Sequence, residues 1–176
     1  QAIISDKTRL KLLVFLILVF LSHLVNASKV IYQDKSNKFD VEELITGLGV
    51  PWGMAFLSAE KLIFTQRDGK IGLVNLKQNT ISWLKNTPDV YHNGQAGLLD
   101  VAVANDYQQT QWIYFTYSKK LGDQSATTLA RTKLTKDTLL DWQTLLITKS
   151  SEDTNYHYGS RIAFDEKGHL FFSIGD

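Results

Sequence analysis

The sequence predicts an all-β protein, and two observations carry that prediction first. Short apolar runs alternate with turn signals from residue 39 onward, and they are rich in Val, Ile, Thr, Phe, Tyr and Trp. These residues favour the pleated, half-buried surface of a β-sheet. No segment after residue 27 keeps a helical period over three turns, and only Asp137–Trp142 has the pattern of a short helical turn.

The predicted strands follow one another at short intervals, separated by Gly, Asn, Asp and Ser. They are Phe39–Ile45, Trp52–Leu57, Lys61–Gln66, Lys70–Leu76, Thr80–Lys85, Leu98–Ala104, Gln111–Ser118, Thr127–Leu134, Leu145–Thr148, Ser160–Phe164 and His169–Ile174.

An internal repeat arranges these strands into larger units. The segment from Met54 to Thr65 recurs without a gap 108 positions later, from Ile162 to Ser173. A third copy, Val101–Thr116, lies between them and has a longer turn. A period of about 50 residues with three or four strands per unit is typical of a β-propeller blade.

The number of repeats is smaller than a closed propeller requires. About two and a half blades fit into the chain, whereas a ring needs at least four. We therefore expect the 176 residues to be the N-terminal part of a longer protein. Alone, this piece is expected to expose sheet edges, to aggregate or stay partly unfolded, and to be inactive.

The first 27 residues have the pattern of an export signal. Three basic residues, Lys7, Arg9 and Lys11, precede the apolar run Leu12–Leu21, which is too short to span a bilayer comfortably. Cleavage is expected after Ala27, which predicts a periplasmic or secreted protein without stable membrane association. The alternative is a membrane anchor formed by residues 10–25. Residues 28–38 are predicted to be a loosely held polar segment, and residues 39–176 the propeller domain.

Composition excludes several classes of function. The formal net charge is +1 and the basic residues are scattered, which argues against a nucleic-acid binder. The chain has no cysteine, and this excludes disulfides, thiolate metal sites and a cysteine nucleophile. The motifs of nucleotide binding, zinc proteolysis and serine hydrolysis are absent from the sequence.

His157 is the first candidate for chemistry. It lies in Asn155–Arg161, where a predicted buried strand begins beside a Gly-Ser pair. An imidazole titrates near neutral pH and is suited to proton transfer. The alternative is a structural role, since most histidines at strand edges are simply hydrogen-bonded.

Five motifs in one order resemble the glucose/sorbosone dehydrogenase family, and most closely its soluble aldose dehydrogenases that use pyrroloquinoline quinone. The resemblance covers residues 44–176. The motifs are Pro51–Leu57, Gln66–Ile71, Gly94–Asp100, Trp112–Ser118 and His157–Arg161.

The resemblance implies a six-bladed propeller with the quinone over its central channel and calcium beside it. His157 would be the catalytic base that takes the proton of the anomeric hydroxyl while hydride passes to the quinone, which yields a lactone. Gln95 would contact cofactor and substrate. An aldose and an electron acceptor are the implied partners. The calcium ligands and cofactor-binding cations are expected in later blades, and no metal ligand is assigned within this sequence.

Other assignments remain open at this point. Glucose-specialised members carry an acidic residue where Tyr156 stands, so Tyr156 favours a broader aldose specificity. Arg161 is expected to pair with Asp165 or Asp176, and Asp100 to bind backbone N–H groups. The first alternative function is a non-catalytic exported propeller that binds proteins or glycans. The second is a calcium-dependent lactonase. Such a site needs carboxylates at the starts of the blades, and this sequence has Trp52-Gly53, Gln95 and His157 there instead.

Overall fold

The computed structural model describes residues 29–33, 38–153 and 155–175. The chain divides into two compact units between Leu44 and Ile45. In the first, β1 (Lys29–Gln33) and β2 (Lys38–Glu42) form an antiparallel hairpin. β1 lies within the polar segment predicted for residues 28–38, and the second unit begins at Ile45. The predicted export signal and its cleavage site lie outside the described residues.

The second unit is built of antiparallel sheets, which confirms the all-β prediction. The first four-stranded sheet, blade 1, has the order β3-β4-β5-β6, and the second, blade 2, has the order β10-β9-β8-β7. A two-stranded sheet, β11-β12, begins blade 3. The bounds are β3 (Pro51–Ser58), β4 (Lys61–Gln66), β5 (Ile71–Asn75), β6 (Thr80–Trp83), β7 (Leu98–Val103), β8 (Trp112–Leu121), β9 (Gln124–Thr135), β10 (Thr138–Glu152), β11 (Ile162–Phe164) and β12 (Leu170–Phe172).

The strand register confirms the repeat. In each blade the recurring alanine of the first strand pairs with a residue of the second strand. That residue lies two positions before the recurring Thr or Ser. The three pairs are Ala55 with Ile63, Ala102 with Tyr114, and Ala163 with Phe171.

The helical turn predicted for Asp137–Trp142 is wrong, because residues 138–142 form the first part of β10 and Asp137 lies in the turn before it. Lys136, with φ 57°, closes a tight turn after β9, and the fully buried Leu139 then pairs with Leu134. Among the described residues, a short helix, α1 (Tyr107–Thr110), lies in the connection between β7 and β8. No helix among the described residues combines the length and apolar character needed to cross a membrane.

Two apolar clusters position the ends of the blades. The larger lies between blades 1 and 2 and includes Ile63, Ile71, Leu98 and Phe115. A smaller one joins Ala96, Leu99 and Tyr158 to the partly buried rings of Trp52 and Tyr91. Because the smaller cluster draws residues from the start of all three blades, it fixes the loops that precede their first strands.

Candidate functional site

His157 lies on the loop that leads into β11, in an unusual backbone conformation. Its φ is 63°, and Gly159 and Ser160 follow with φ of 62° and 100°. Left-handed backbone is uncommon for residues other than glycine and persists only where surrounding structure enforces it. We call residues 157–160 the His157 turn.

Gln95 and His157, proposed separately from the sequence, are in direct contact. The backbone N–H of His157 donates to Oε1 of Gln95 at 3.0 Å. The backbone N–H of Gln95 in turn donates to the carbonyl of Asn155 at 2.9 Å. Both Gln95 and His157 are exposed. Because Oε1 is used by His157, the amide N–H groups of Gln95 are the part of this side chain that can donate to a ligand.

Blade 2 holds the His157 turn from the side. The hydroxyl of Thr127 donates to the carbonyl of Tyr158 at 2.8 Å, and the hydroxyl of Thr116 donates to the carbonyl of Ser160 at 2.9 Å. Ser125 Oγ and the Tyr158 hydroxyl lie 2.6 Å apart. All these contacts are buried, so the turn is fastened to β8 and β9 away from water.

The segment that follows β12 covers the turn from the other side, and glycines make this possible. A Cβ on Gly159 would lie 2.7 Å from the carbonyl carbon of Ile174. A Cβ on Gly175 would overlap the carbonyl oxygen of His157. Each glycine therefore permits an approach of two backbones that a side chain would prevent.

A second set of polar contacts supports the loop that carries Gln95. The Tyr91 hydroxyl donates to Oδ1 of Asn155 at 2.8 Å, and Nδ2 of Asn93 donates to the Tyr91 hydroxyl at 3.1 Å. Gly94, with φ 58°, comes so close to Asn155 that a Cβ would lie 2.8 Å from the asparagine Cβ. Asn155 thus joins the two loops that carry the candidate residues.

Among the described residues, Arg161 forms an ion pair with Asp100. Its Nη1 lies 3.4 Å from Oδ1 of Asp100, a carboxylate in blade 2 that is 1% exposed. The other oxygen of Asp100 accepts a hydrogen bond from the backbone N–H of Ile162 at 2.7 Å, which confirms the expected role of Asp100. The pairing follows from blade packing, because β11 lies against β7 of the preceding blade.

Asp165, one of the two partners expected for Arg161, is used within its own blade. Its Oδ2 lies 2.8 Å from Nδ1 of His169, and its Oδ1 accepts from the backbone N–H groups of Lys167 and His169. The hydrogen bond from His169 is the largest cause that lowers the pKa of the Asp165 carboxyl below 3.8. The other expected partner, Asp176, lies outside the described residues.

The donor set of the site suits an organic ligand better than a metal ion. Among the described residues, no group of three or more His, Asp or Glu side chains is placed to bind a metal. The exposed amide of Gln95 and the imidazole of His157 are instead hydrogen-bonding groups. They fit the carbonyl and hydroxyl oxygens of a quinone and a sugar, and they supply no calcium site.

Sequence comparison decides the family. Residues 48–176 match the model of the family described as Glucose / Sorbosone dehydrogenase. The chain belongs to the glucose/sorbosone dehydrogenase family. It is 33% identical over 142 residues to the aldose sugar dehydrogenase YliI of Escherichia coli (strain K12), a match that covers 78% of this chain and 38% of that protein.

Solved structures of related dehydrogenases share the fold. The soluble aldose sugar dehydrogenase of Escherichia coli in its apo form superposes with a TM-score of 0.68 at 32% identity, over 72% of this chain and 38% of that one. The PQQ-bound aldose sugar dehydrogenase of Streptomyces coelicolor gives a TM-score of 0.65 at 23% identity, over 82% and 41%. The chain thus spans about two fifths of the length of these family members. The sheets described above are therefore part of a β-propeller.

Residues of the site that the sequence analysis missed are those that hold the turn. Thr116, Thr127, Ser125 and Gly175 carry no chemistry that marks them as functional. One signal was available for Thr116, because Thr65, Thr116 and Ser173 recur at the same position of the repeat.

Proposed function

We propose that the full-length protein is an exported aldose dehydrogenase that uses pyrroloquinoline quinone and calcium. It would oxidise the anomeric carbon of an aldose to the lactone. The contact between Gln95 and His157 supports the proposal, because it joins the side chain of one candidate residue to the backbone of the other. Membership of the family and the predicted export signal support it.

The chemistry divides between cofactor and protein. When bound, pyrroloquinoline quinone supplies the acceptor for the hydride that leaves the anomeric carbon. An imidazole nitrogen of His157 takes the proton of the anomeric hydroxyl, so that the C–H and O–H bonds break and a C=O bond forms. The imidazolium then returns its proton to water.

Gln95 links the position of the ligand to that of the base. Its Oε1 accepts from the His157 backbone, and its N–H groups would donate to an acceptor oxygen of the quinone or sugar. Any ligand bound by this amide is therefore placed in a fixed relation to the His157 turn. Such fixed placement of base and substrate accounts for a large part of the rate in many enzymes.

The relatives support the substrate class and the cofactor. The Escherichia coli protein is an aldose sugar dehydrogenase, and the Streptomyces coelicolor neighbour is a PQQ-bound form of such an enzyme. The substrate of this chain is accordingly proposed to be an aldose. Tyr156, which is 57% exposed beside His157, would contact the sugar without the charge of an acidic residue.

The test uses the full-length protein loaded with pyrroloquinoline quinone and Ca²⁺. An artificial dye accepts the electrons, with glucose or another aldose as donor and the corresponding alditol, which has no anomeric carbon, as the matched control. We expect dye reduction with the aldose, lactone formation, and no reaction with the alditol or without quinone. A quinone-loaded protein that oxidises no aldose would instead favour the non-catalytic propeller.

A further inference from the structure

We propose that Thr116 and Thr127 are positioning residues for His157. Their buried hydroxyls fix two carbonyl groups of the His157 turn and thereby hold the imidazole where the reaction needs it. The inference rests on the proposed function for its kinetic consequence. The positions of these hydroxyls and of the imidazole do not depend on the proposed function.

Thr116 forms a relay between blades 2 and 3. The backbone N–H of Asp100 donates to Oγ1 of Thr116 at 3.1 Å, and the hydroxyl hydrogen of Thr116 is donated to the carbonyl of Ser160 at 2.9 Å. Thr116 is fully buried. Since a hydroxyl has a single hydrogen, its donor capacity is committed to Ser160.

The same relay occurs one blade earlier, at Thr65. The backbone N–H of Gly53 donates to Oγ1 of Thr65 at 3.0 Å, and Thr65 donates to the carbonyl of Leu99 at 2.5 Å. Leu99 and Ser160 occupy equivalent positions, three residues before Ala102 and Ala163. The relay is therefore a repeated device that joins adjacent blades.

The relay holds a different backbone conformation at each of the two blade interfaces. Ser160 has φ of 100°, whereas Leu99 is not among the residues with positive φ. Ser160 Oγ is buried and has no hydrogen-bond partner among the described residues, so its side chain does not hold this conformation. The holding contacts are those of the backbone, from Ser160 N–H to the Ser173 carbonyl at 2.7 Å and from Thr116 to the Ser160 carbonyl.

Thr127 fixes the middle of the same turn. Its hydroxyl donates to the carbonyl of Tyr158, the residue next to His157, at 2.8 Å. Thr127 is 3% exposed, so water does not replace the bond easily. With both carbonyls released, the left-handed residues of the turn lose the contacts that compensate their strain. The imidazole and the bond from His157 N–H to Gln95 would then shift.

The test compares isosteric variants of the full-length protein. Thr116→Val and Thr127→Val remove the hydroxyls from the turn, and Thr65→Val removes the equivalent hydroxyl at the other interface. We expect the first two to lower kcat for aldose oxidation about tenfold or more with KM within about twofold, because small displacements of a catalytic group are costly. The kcat of Thr65→Val should stay within about twofold of the wild-type value. Thr116→Ser and Thr127→Ser keep a hydroxyl and should have a kcat close to that of the wild type.

A second readout does not depend on activity. In protein labelled with ¹⁵N-histidine, the imidazole resonances of His157, assigned with His157→Asn, should move in the Thr116 and Thr127 valine variants and stay in place in Thr65→Val. Unchanged His157 resonances in both valine variants would overturn the proposal. Equal shifts in Thr65→Val would also overturn it. If the wild type oxidises no aldose, the proposed function fails, and the resonances still decide the positioning role.

Discussion

The backbone N–H of His157 donates to Oε1 of Gln95 at 3.0 Å, although the two residues are 62 positions apart in the chain. The bond spans two loops that lead into the first strands of neighbouring blades, β7 and β11. The Gln95 side chain thus has one task toward the protein, and the proposed function gives it a second, donation to a ligand. These tasks can be separated by substitution.

Gln95→Glu keeps an acceptor for His157 N–H and removes the amide donor, whereas Gln95→Ala removes both. We expect both variants of the full-length protein to bind pyrroloquinoline quinone about tenfold more weakly, the equivalent of one hydrogen bond of about 1.4 kcal/mol. Only Gln95→Ala should speed amide exchange at His157. Quinone titration and hydrogen exchange measure the two effects. Wild-type affinity in Gln95→Glu would contradict the role given to the amide.

Gly159→Ala and Gly122→Ala form a matched pair. Both glycines have nearly the same backbone, with φ of 62° and 63°, but a Cβ at Gly159 meets the Ile174 backbone while one at Gly122 meets nothing within 4 Å. Left-handed strain costs about 1–2 kcal/mol at either site. Gly159→Ala should therefore lower the free energy of unfolding by more than Gly122→Ala, as measured by urea denaturation. An equal loss of unfolding free energy in the two variants would mean that the close approach to Ile174 adds no cost at Gly159.

Asp100→Ala and Arg161→Ala test which of the two contacts of Asp100 joins the blades. Removal of Asp100 leaves the buried N–H of Ile162 without its acceptor, at a cost of about 1–3 kcal/mol. Arg161 has 69% of its side chain exposed and lies 3.4 Å from Asp100, so water screens the ion pair and Arg161→Ala should cost less than Asp100→Ala. Thermal or urea unfolding of the two variants gives the comparison. A larger loss in Arg161→Ala would show that the charge pair dominates.

The ion pair of Lys85 and Asp137 links the end of blade 1 to the start of β10 at 2.7 Å. Hydrogen bonds from Lys85 and Thr138 hold the pKa of the Asp137 carboxyl below 3.8. Because the folded pKa is below the unfolded one, the contribution to stability is present above about pH 4 and is lost as pH falls through the folded pKa. Lys85→Met should raise the pKa of Asp137 toward 3.8. The free energy of unfolding of this variant should then fall less between about pH 4 and the folded pKa than that of the wild type.

Carboxyl chemical shifts of Asp137 and urea unfolding below about pH 4 measure this effect. Lys77→Met is the control, since Lys77 is exposed and has no ion pair among the described residues. An unchanged titration of Asp137 in Lys85→Met would contradict the assignment.

Much of the fold could be predicted because strand patterns are local. The bounds of β4, Lys61–Gln66, agree with the prediction, and the recurring alanines take equivalent places in three sheets. The start of β10 could not be predicted in this way. A register shift between Leu140 and Gln143, with Asp141 at φ 57°, breaks the alternation and gives Asp137–Trp142 a helical appearance.

The site was predictable only in part, because its contacts form between blades that are distant in the sequence. His157 and Gln95 were found through their motifs, but their contact depends on how neighbouring blades meet. Asp165 and Asp176 are the partners predicted for Arg161 from neighbouring strands, whereas blade packing brings Asp100 to it. The threonines that hold the His157 turn carry no chemical signature, and their role depends on a carbonyl in another blade.

The most direct test of the central claim is the turnover of His157→Asn in the full-length, quinone-loaded protein. Asparagine tolerates the left-handed backbone of residue 157, so the turn and the melting temperature should be preserved. If His157 is the base, the rate of dye reduction with an aldose falls by about 10²–10⁴. A variant that keeps full activity would contradict the account.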